Sequence, residues 1–590
     1  MTKRTPTGQP NPHGRTLDLP TYEGAAQSPG TTLAETIVPG APGAFGYRRL
    51  ERQRGERLLL RTDLGGAAPS SRLRSLVTFV HLSDLHVTDA QSPARAEYLD
   101  RYGDSDSPQA PEVGRVGTYR AQEALTHQVV EAMARTVRQL KGGPLTGAPI
   151  GFALSTGDAT DNCQENELRS YIALLEGGRE INPDSGDPHS YQGVGSWSAY
   201  DPRYWHPDGT PPGRGGDRPR SRFGFPEVPE LLDACRQPFL ATGLGVPWYA
   251  VYGNHDGLLC GTVAPTPRLA GVAVGGAKAL GADPGADLTA LITRSATDPS
   301  ADTWERLHGP TLAVAADPRR RLVTIHEWLA AHRTPTARPA GHGFDLDAIA
   351  SGRAWYGFDV GVVRFLVLDT VNPAGGWQGS LSEEQFRWLE KELEGGHRRY
   401  LGPQGAVQHA GVTDRLFVLV SHHPLETLIN GYAPDALPRR LENDVSRLLA
   451  RFPNVVCWVN GHTHTSAVRA VPTDLPPGSP PDRSLPAQPG GWWQITTPSH
   501  IDWPQQARVV ELALDELTGD LLIGTAMVDH LGAVDPRLGE LGDSAVLAGW
   551  SRELAANAWQ GRTSRMEPVG RGSAADRNVL LVVPAPSGLR

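Results

Sequence analysis

The stretch His81-Leu-Ser-Asp-Leu-His86 constrains this chain more than any other. Ahead of it, Leu76-Val-Thr-Phe-Val80 is apolar and β-branched, as a buried strand requires. Asp84 and His86 come where that strand stops, and side chains two apart on extended chain point the same way. A carboxylate and an imidazole meeting at a strand's carboxyl end are unusual in a core and natural at a metal site. One such pair by itself fits a solvated turn better. Four later strand ends bring matching groups, and that recurrence turns the argument toward metal.

Residues 1 to about 70 are rich in Pro, Gly, Thr and Arg without sustained periodicity, which predicts an extended arm lying on the core or partly disordered. Leu125, Val129, Val130, Met133 and Val137 recur at helical spacing and predict a helix over about 118–140. Strand, helix, strand is the rhythm of a layered α/β core. A second strand, 150–154, ends in Gly157-Asp158 and runs on to Asp161 and Asn162. A third, 248–251, ends in Gly253-Asn254-His255-Asp256, and a fourth, 362–368, ends at Asp369. The fifth, 416–420, ends in Ser421-His422-His423, and the sixth, 455–459, in Asn460-Gly461-His462-Thr463-His464. Ser382 and Gln385 form a capping box that starts a helix after the fourth strand. Long irregular insertions occupy about 181–226 and 258–345, and a Pro-rich linker about 472–490. Trp492 to Ile495 and a hairpin over 507–514 and 521–528 read as strands of a second sheet. The core domain is thus expected over 71–530, with 531–590 as a C-terminal extension.

Collected, the strand ends offer Asp84, His86, Asp158, Asn254, His255, His422, His462 and His464. Seven of the 19 histidines fall in these motifs, so the clustering is not a by-product of a His-rich chain. More than six oxygen and imidazole ligands exceed what one four-coordinate ion needs, and two ions about 3.5–4 Å apart, sharing a carboxylate, are the economical explanation.

These motifs, in the order Asp-x-His, Gly-Asp-x-x-Asp, Gly-Asn-His-Asp, His-His-Pro and Gly-His-x-His, resemble the calcineurin-like metallophosphoesterase family over roughly residues 76–500. The resemblance implies an α/β fold, a four-layer α/β/β/α sandwich of two mixed sheets carrying large loop insertions. It implies that Asp84, His86 and His464 hold one metal, that Asn254, His422 and His462 hold the other, and that Asp158 bridges them. His255 would then stand outside the metal shell near the phosphoryl group, with Asp161, in preference to Asp256, orienting its ring. A tyrosine in place of Asp161 would mark purple acid phosphatases, and its absence argues against their chromophore. Coordination lowers the pKa of water from 15.7 to about 7, so a hydroxide bridging the ions can attack phosphorus while both ions and His255 stabilise the charge that develops. The ions are expected to be divalent or trivalent manganese, iron or zinc, among which these ligands do not discriminate.

Other residues carry blander readings. His81 is expected as a satisfied core histidine, and His423 is open between pocket lining and structure. Asp89 and Asn162 read as turn or cap residues sooner than as support behind the ligands, Thr497 to Trp503 as packing sooner than as a face of the pocket, and Trp197 with Trp205 as a local aromatic cluster sooner than as a platform for a substrate ring. Lys+Arg is 56 against Asp+Glu 65, a net charge of -9 with no dense basic run, which argues against nucleic acid as a partner and against a nuclease of the same fold. A small phosphate mono- or diester is the expected partner, and the oligomeric state stays open. The 4 cysteines lack C-x-x-C spacing, and neither an apolar leader region nor an 18-residue apolar run is present, so a cytoplasmic protein with no membrane contact is expected. The competing class is a non-catalytic scaffold stapled by metals, against which His255 beside a full ligand set speaks.

Overall fold

The computed structural model describes residues 19–25, 29–104, 106–113, 116–283, 285–295, 309–473, 491–559 and 570–584. The first eighteen residues of the arm and all but the edges of the Pro-rich linker lie outside the described residues. In chain order the principal strands are β1 (Leu59–Arg61), β2 (Leu73–Leu82), β3 (Phe152–Thr156), β4 (Trp248–Val251), β5 (Tyr356–Val360), β6 (Val363–Val367), β7 (Leu416–Val420), β8 (Val455–Asn460), β9 (Ala467–Pro472), β10 (Gly491–Thr496), β11 (Gln506–Asp515), β12 (Leu521–Asp529) and β13 (Val579–Val583). They make two mixed sheets, a seven-stranded one in the order β1-β13-β12-β11-β2-β3-β4 and a six-stranded one in the order β5-β6-β7-β8-β10-β9. The fold is therefore mixed α/β.

The apolar runs are continuous because both faces of these strands are covered. On β6 and β7, Val363, Phe365, Val367, Val418 and Val420 join one core, while Leu366, Phe417 and Leu419 join another with the helices Glu383–Glu394 and Glu442–Leu449. The first core fills the space between the sheets: the Phe365 ring of β6 lies 5.7 Å from Phe79 of β2 and 5.4 Å from Phe152 of β3. Helix Thr126–Gln139 buries Val129, Val130, Met133 and Val137, as their spacing predicts, starting later than residue 118.

Three features differ from the sequence expectation. The arm contributes a two-stranded hairpin, Glu35–Pro42 with Arg48–Arg54, and β1 enters the seven-stranded sheet. The C-terminal stretch supplies helix Ser544–Ala556 and β13, an interior strand of that sheet, so boundaries at 70 and 530 cut through its hydrogen bonds. The segments expected to share a second sheet divide, β10 joining the six-stranded sheet while the β11–β12 hairpin lies antiparallel to β2.

Strand direction positions the site. β2, β3 and β4 are mutually parallel, and so are β6, β7 and β8, so the carboxyl ends of each trio share one sheet edge. Open α/β sheets bind ligands at such edges.

Candidate metal centre

Five of the strand-end residues take left-handed backbone conformations: Asp84 (φ 50), His86 (φ 44), Asp158 (φ 48), His462 (φ 67) and His464 (φ 55). Each costs on the order of 1–3 kcal/mol outside glycine, a strain that persists where the surroundings demand it. Here the strand-end turns are laced together: Asp84 N donates to Gly157 O (3.1 Å), His86 N to Asp158 O (2.9 Å) and Gly461 N to His422 O (2.9 Å). The approach is close enough to require glycine at two points. A Cβ on Gly461 would fall 2.2 Å from Asp84 Oδ2, and one on Gly253 would fall 2.1 Å from Asp158 N.

The imidazoles share one arrangement. His422 donates Nδ1–H to Thr156 O (2.9 Å), His86 to Asp161 Oδ1 (2.9 Å), His464 to Asp502 Oδ2 (2.7 Å) and His255 to Asp161 O (2.7 Å). With Nδ1 engaged, each ring leaves Nε2 as the nitrogen that could take a cation or a proton. His86 Nε2 and His464 Nε2 lie 3.2 Å apart, and Asp84 Oδ1 is 3.3 Å from His464 Nε2. Asp158 Oδ2 stands 3.2 Å from His422 Nε2 and 3.8 Å from His86 Nε2, between the two halves of the cluster. Asn254 donates Nδ2 to Gly261 O (2.9 Å), which turns Oδ1 away without a partner. The His462 ring is 5.1 Å from that of His422. Asp84, His86 and His464 form one group whose ligand atoms lie within 4.8 Å of one another, and Asp84, Asp158 and His422 form a second. Asp84, His86, Asp158, His422, His462 and His464 thus lie close together, and Asn254 lines the same cleft as Asp158, His462 and His464.

The donor set fits metal ions on two observations. Asn254 Oδ1 and His422 Nε2 are buried without a hydrogen-bond partner, a state that costs about 1–3 kcal/mol each unless a donor or a cation meets them. The carboxylates there also draw positive charge. Burial pushes the Asp158 carboxyl up, but His422 and His255 beside it outweigh burial and hold it well below the carboxylate range. Burial likewise opposes charge on His422 and His464, yet Asp158 lifts the first to about 9, and Asp502 with Asp84 lifts the second to about 9.

The supporting residues differ from expectation. The Asp161 carboxylate holds His86 and an ion pair with Arg95; only its backbone carbonyl holds His255, whose Nδ1 is 3.7 Å from Asp161 Oδ1. Asp161 still orients His255, by main chain instead of side chain. Asp256 faces the other way, accepting from the backbone of Ala159, Thr160 and Gly253. Sequence reasoning missed Arg95 and Arg120. Asp502 sits in the stretch read as packing in preference to facing the pocket, and Arg120 grips both its carboxylate oxygens at 2.7 and 3.1 Å. Arg95 lies in an aperiodic stretch that gives no signal, and Arg120 falls within the helix expected from 118, which starts only at Thr126.

Among the remaining candidates, His81 is satisfied by Thr156 and Thr497, each 2.8 Å away. His423 has both nitrogens engaged, by Thr370 Oγ1 (2.8 Å) and Trp377 O (3.0 Å), and so is structural. Asp89 is tied to Arg320, Ser185 and Asn166. Trp205 packs in an aromatic cluster with Tyr119 and Phe225.

The centre opens into a cleft of about 600 Å³. A larger hollow of about 690 Å³, walled by helix Glu165–Glu176 and by Arg321 and Glu327, contains none of the clustered ligand groups, so chemistry and not volume marks the site. Among the described residues no helix is long and apolar enough to cross a membrane. No family model and no curated protein matches the chain. Among solved structures, the crystal structure of a dimetal phosphatase from Danio rerio is similar at 12% identity and a TM-score of 0.33, covering 78% of this chain and 100% of that one. A superposition that loose fixes neither fold nor chemistry.

Proposed function

We propose that the chain is a metal-dependent hydrolase of phosphate esters, its sheets and flanking helices stacked as the four-layer α/β/β/α sandwich that the motif order implies. The reading is carried by one observation: six ligand groups from five strand ends, Asp84, His86, Asp158, Asn254, His422 and His464, converge with their other polar atoms already bonded, an arrangement that metal cations would complete. Asp84, His86 and His464 would hold one ion, Asn254, His422 and His462 the other, and Asp158 both. Manganese, iron or zinc there supplies a water acidic enough to ionise near neutral pH and positive charge for the phosphoryl oxygens.

The chain's own part is to position groups and move a proton. His255 Nε2 has no hydrogen-bond partner among the described residues, and its ring stands 4.6 Å from that of His86 and lines the cleft. With Nδ1–H fixed on Asp161 O, a protonated His255 donates from Nε2 to an ester oxygen as charge builds there. Asp158 Oδ1 accepts from His255 N (2.8 Å), so the carboxylate that joins the two ligand groups also sets the height of the catalytic ring.

Metal analysis and hydrolysis of bis-p-nitrophenyl phosphate and p-nitrophenyl phosphate, with and without manganese, test this. Asp158→Asn is expected to lose metal. His255→Ala is expected to keep metal and lose about 10²–10³-fold in kcat. Full turnover in His255→Ala would remove its role, and a metal-loaded wild type inert on every ester would leave a metal-stapled scaffold.

A further inference from the structure

We infer that the cleft takes a singly charged phosphodiester bearing a flat apolar arm, and that Trp377 is the surface on which the arm stacks; this rests on the hydrolase reading and narrows it. The first argument is charge. The arginines lining the cleft among the described residues are Arg95 and Arg120. Arg95 is committed to Asp161 and Glu123, and Arg120 to both oxygens of Asp502. Neither offers an uncompensated cation to the second negative charge of a monoester, whereas a diester brings one charge, which the metal centre meets.

The second argument is an indole left part-exposed at the cleft. Trp377 is 39% exposed on the rim, on a backbone held from every side. Its carbonyl accepts from His423 Nε2 (3.0 Å), Gly376 N donates to Thr262 O (2.7 Å), and Gly379 N to Thr427 O (2.9 Å). Asn430 Nδ2 reaches Gly375 O (2.9 Å) and Gln378 O (3.0 Å). His423 in turn packs its ring 4.3 Å from that of His462, so the loop that carries Trp377 is built onto the metal centre. An aromatic ring presented on an already ordered loop gives contact area at little entropic cost on binding. Val113, Val116 and Ile292 line the same cleft and add apolar surface, and its volume of about 600 Å³ suits a ligand of drug-like size.

The test compares bis-p-nitrophenyl phosphate, ethyl p-nitrophenyl phosphate and p-nitrophenyl phosphate on the manganese-loaded full chain, together with calorimetric binding of diphenyl phosphate. The first ester is expected to have the highest kcat/KM. Trp377→Ala is expected to reduce its advantage over the ethyl ester about tenfold, through KM, and to weaken diphenyl phosphate binding by a similar factor, with Trp377→Phe restoring most of both. The carbonyl that holds His423 survives either substitution. A preference for p-nitrophenyl phosphate, or diphenyl phosphate binding indifferent to Trp377→Ala, overturns the inference. Protein that hydrolyses no ester yet binds diphenyl phosphate in a Trp377-dependent way supports the subsite and overturns the hydrolase reading instead.

Discussion

Each imidazole with Nδ1 bonded in the centre finds a different acceptor, and those acceptors divide by charge. His422 and His255 lean on neutral carbonyls, whereas His86 and His464 lean on carboxylates that are themselves gripped by Arg95 and Arg120. A carboxylate behind a ligating imidazole fixes the ring and raises its basicity, and losing it typically costs about 10–100-fold in metal affinity. Asp502→Asn is therefore expected to weaken manganese binding by about that factor in a direct titration. Adding Arg120→Met, which removes the cation left without its partner, is expected to leave affinity low; recovery in the double variant would show that the stranded charge, and not the lost orientation, caused the defect. At this scale the ligands themselves were legible, because Asp and His at consecutive strand ends have few other uses. What served the ligands was not. Asp161 was found by its place in a motif, but sequence does not say whether a residue works through its side chain or its carbonyl, and Asp502 comes from a segment without periodicity.

Elements were legible where period and burial agree. The runs that became β6 and β7 alternate between two cores, so their apolar character is unbroken and their ends are sharp. Ser382 caps helix Glu383–Glu394 by accepting from Gln385 N (3.2 Å), yet the Gln385 side chain reaches Asp369 N and O instead of closing the box, a tertiary contact no local pattern announces. The other end of that helix hides a titrating group. His397 donates Nδ1–H to Leu393 O (2.6 Å), accepts from Asn454 N at Nε2 (3.0 Å) and stacks on Phe417 of β7, 5.0 Å between ring centroids. Burial lowers it to about 4 against the bond to Leu393, so the folded protein keeps it neutral while the unfolded chain protonates near 6.5. The unfolded state thus binds more protons between those values, and stability, complete above about pH 6.5, falls as pH drops toward 4. The loss from this one group is about 2 kcal/mol by pH 5. Urea unfolding of wild type and His397→Gln at pH 7 and pH 5 is expected to show a pH dependence smaller by that amount in the variant; equal slopes would place the titration elsewhere.

For the molecule as a whole, the segments read as an arm and a C-terminal extension close the seven-stranded sheet. β13 lies between β1 and β12, pairing parallel with the first and antiparallel with the second, so chain from before residue 70 and after residue 570 meets in the sheet that carries Asp84, Asp158 and Asn254. Neither segment alternates cleanly: β13 is Val-Leu-Leu-Val-Val with every side chain buried, and a short apolar run late in a chain reads as tail as readily as strand. Arg508 on β11 ties this closure to the centre, donating to Arg577 O (2.7 Å) and Asp576 O (2.9 Å) on one side and to Ser466 Oγ (2.8 Å), two residues past His464, on the other. Five buried aliphatic side chains at about 1.5–3 kcal/mol each are comparable with the 5–15 kcal/mol that holds an ordinary domain together. A chain cut after residue 569 is accordingly expected to lose near-ultraviolet circular dichroism and manganese binding together, and residues 71–530 expressed alone are expected to do the same. If the truncated chain instead keeps a cooperative unfolding transition and its metal, β13 is an addition to a sheet that stands without it. The centre would then rest on β2, β3 and β4 of this sheet with β7 and β8 of the other, none of which pairs with β13.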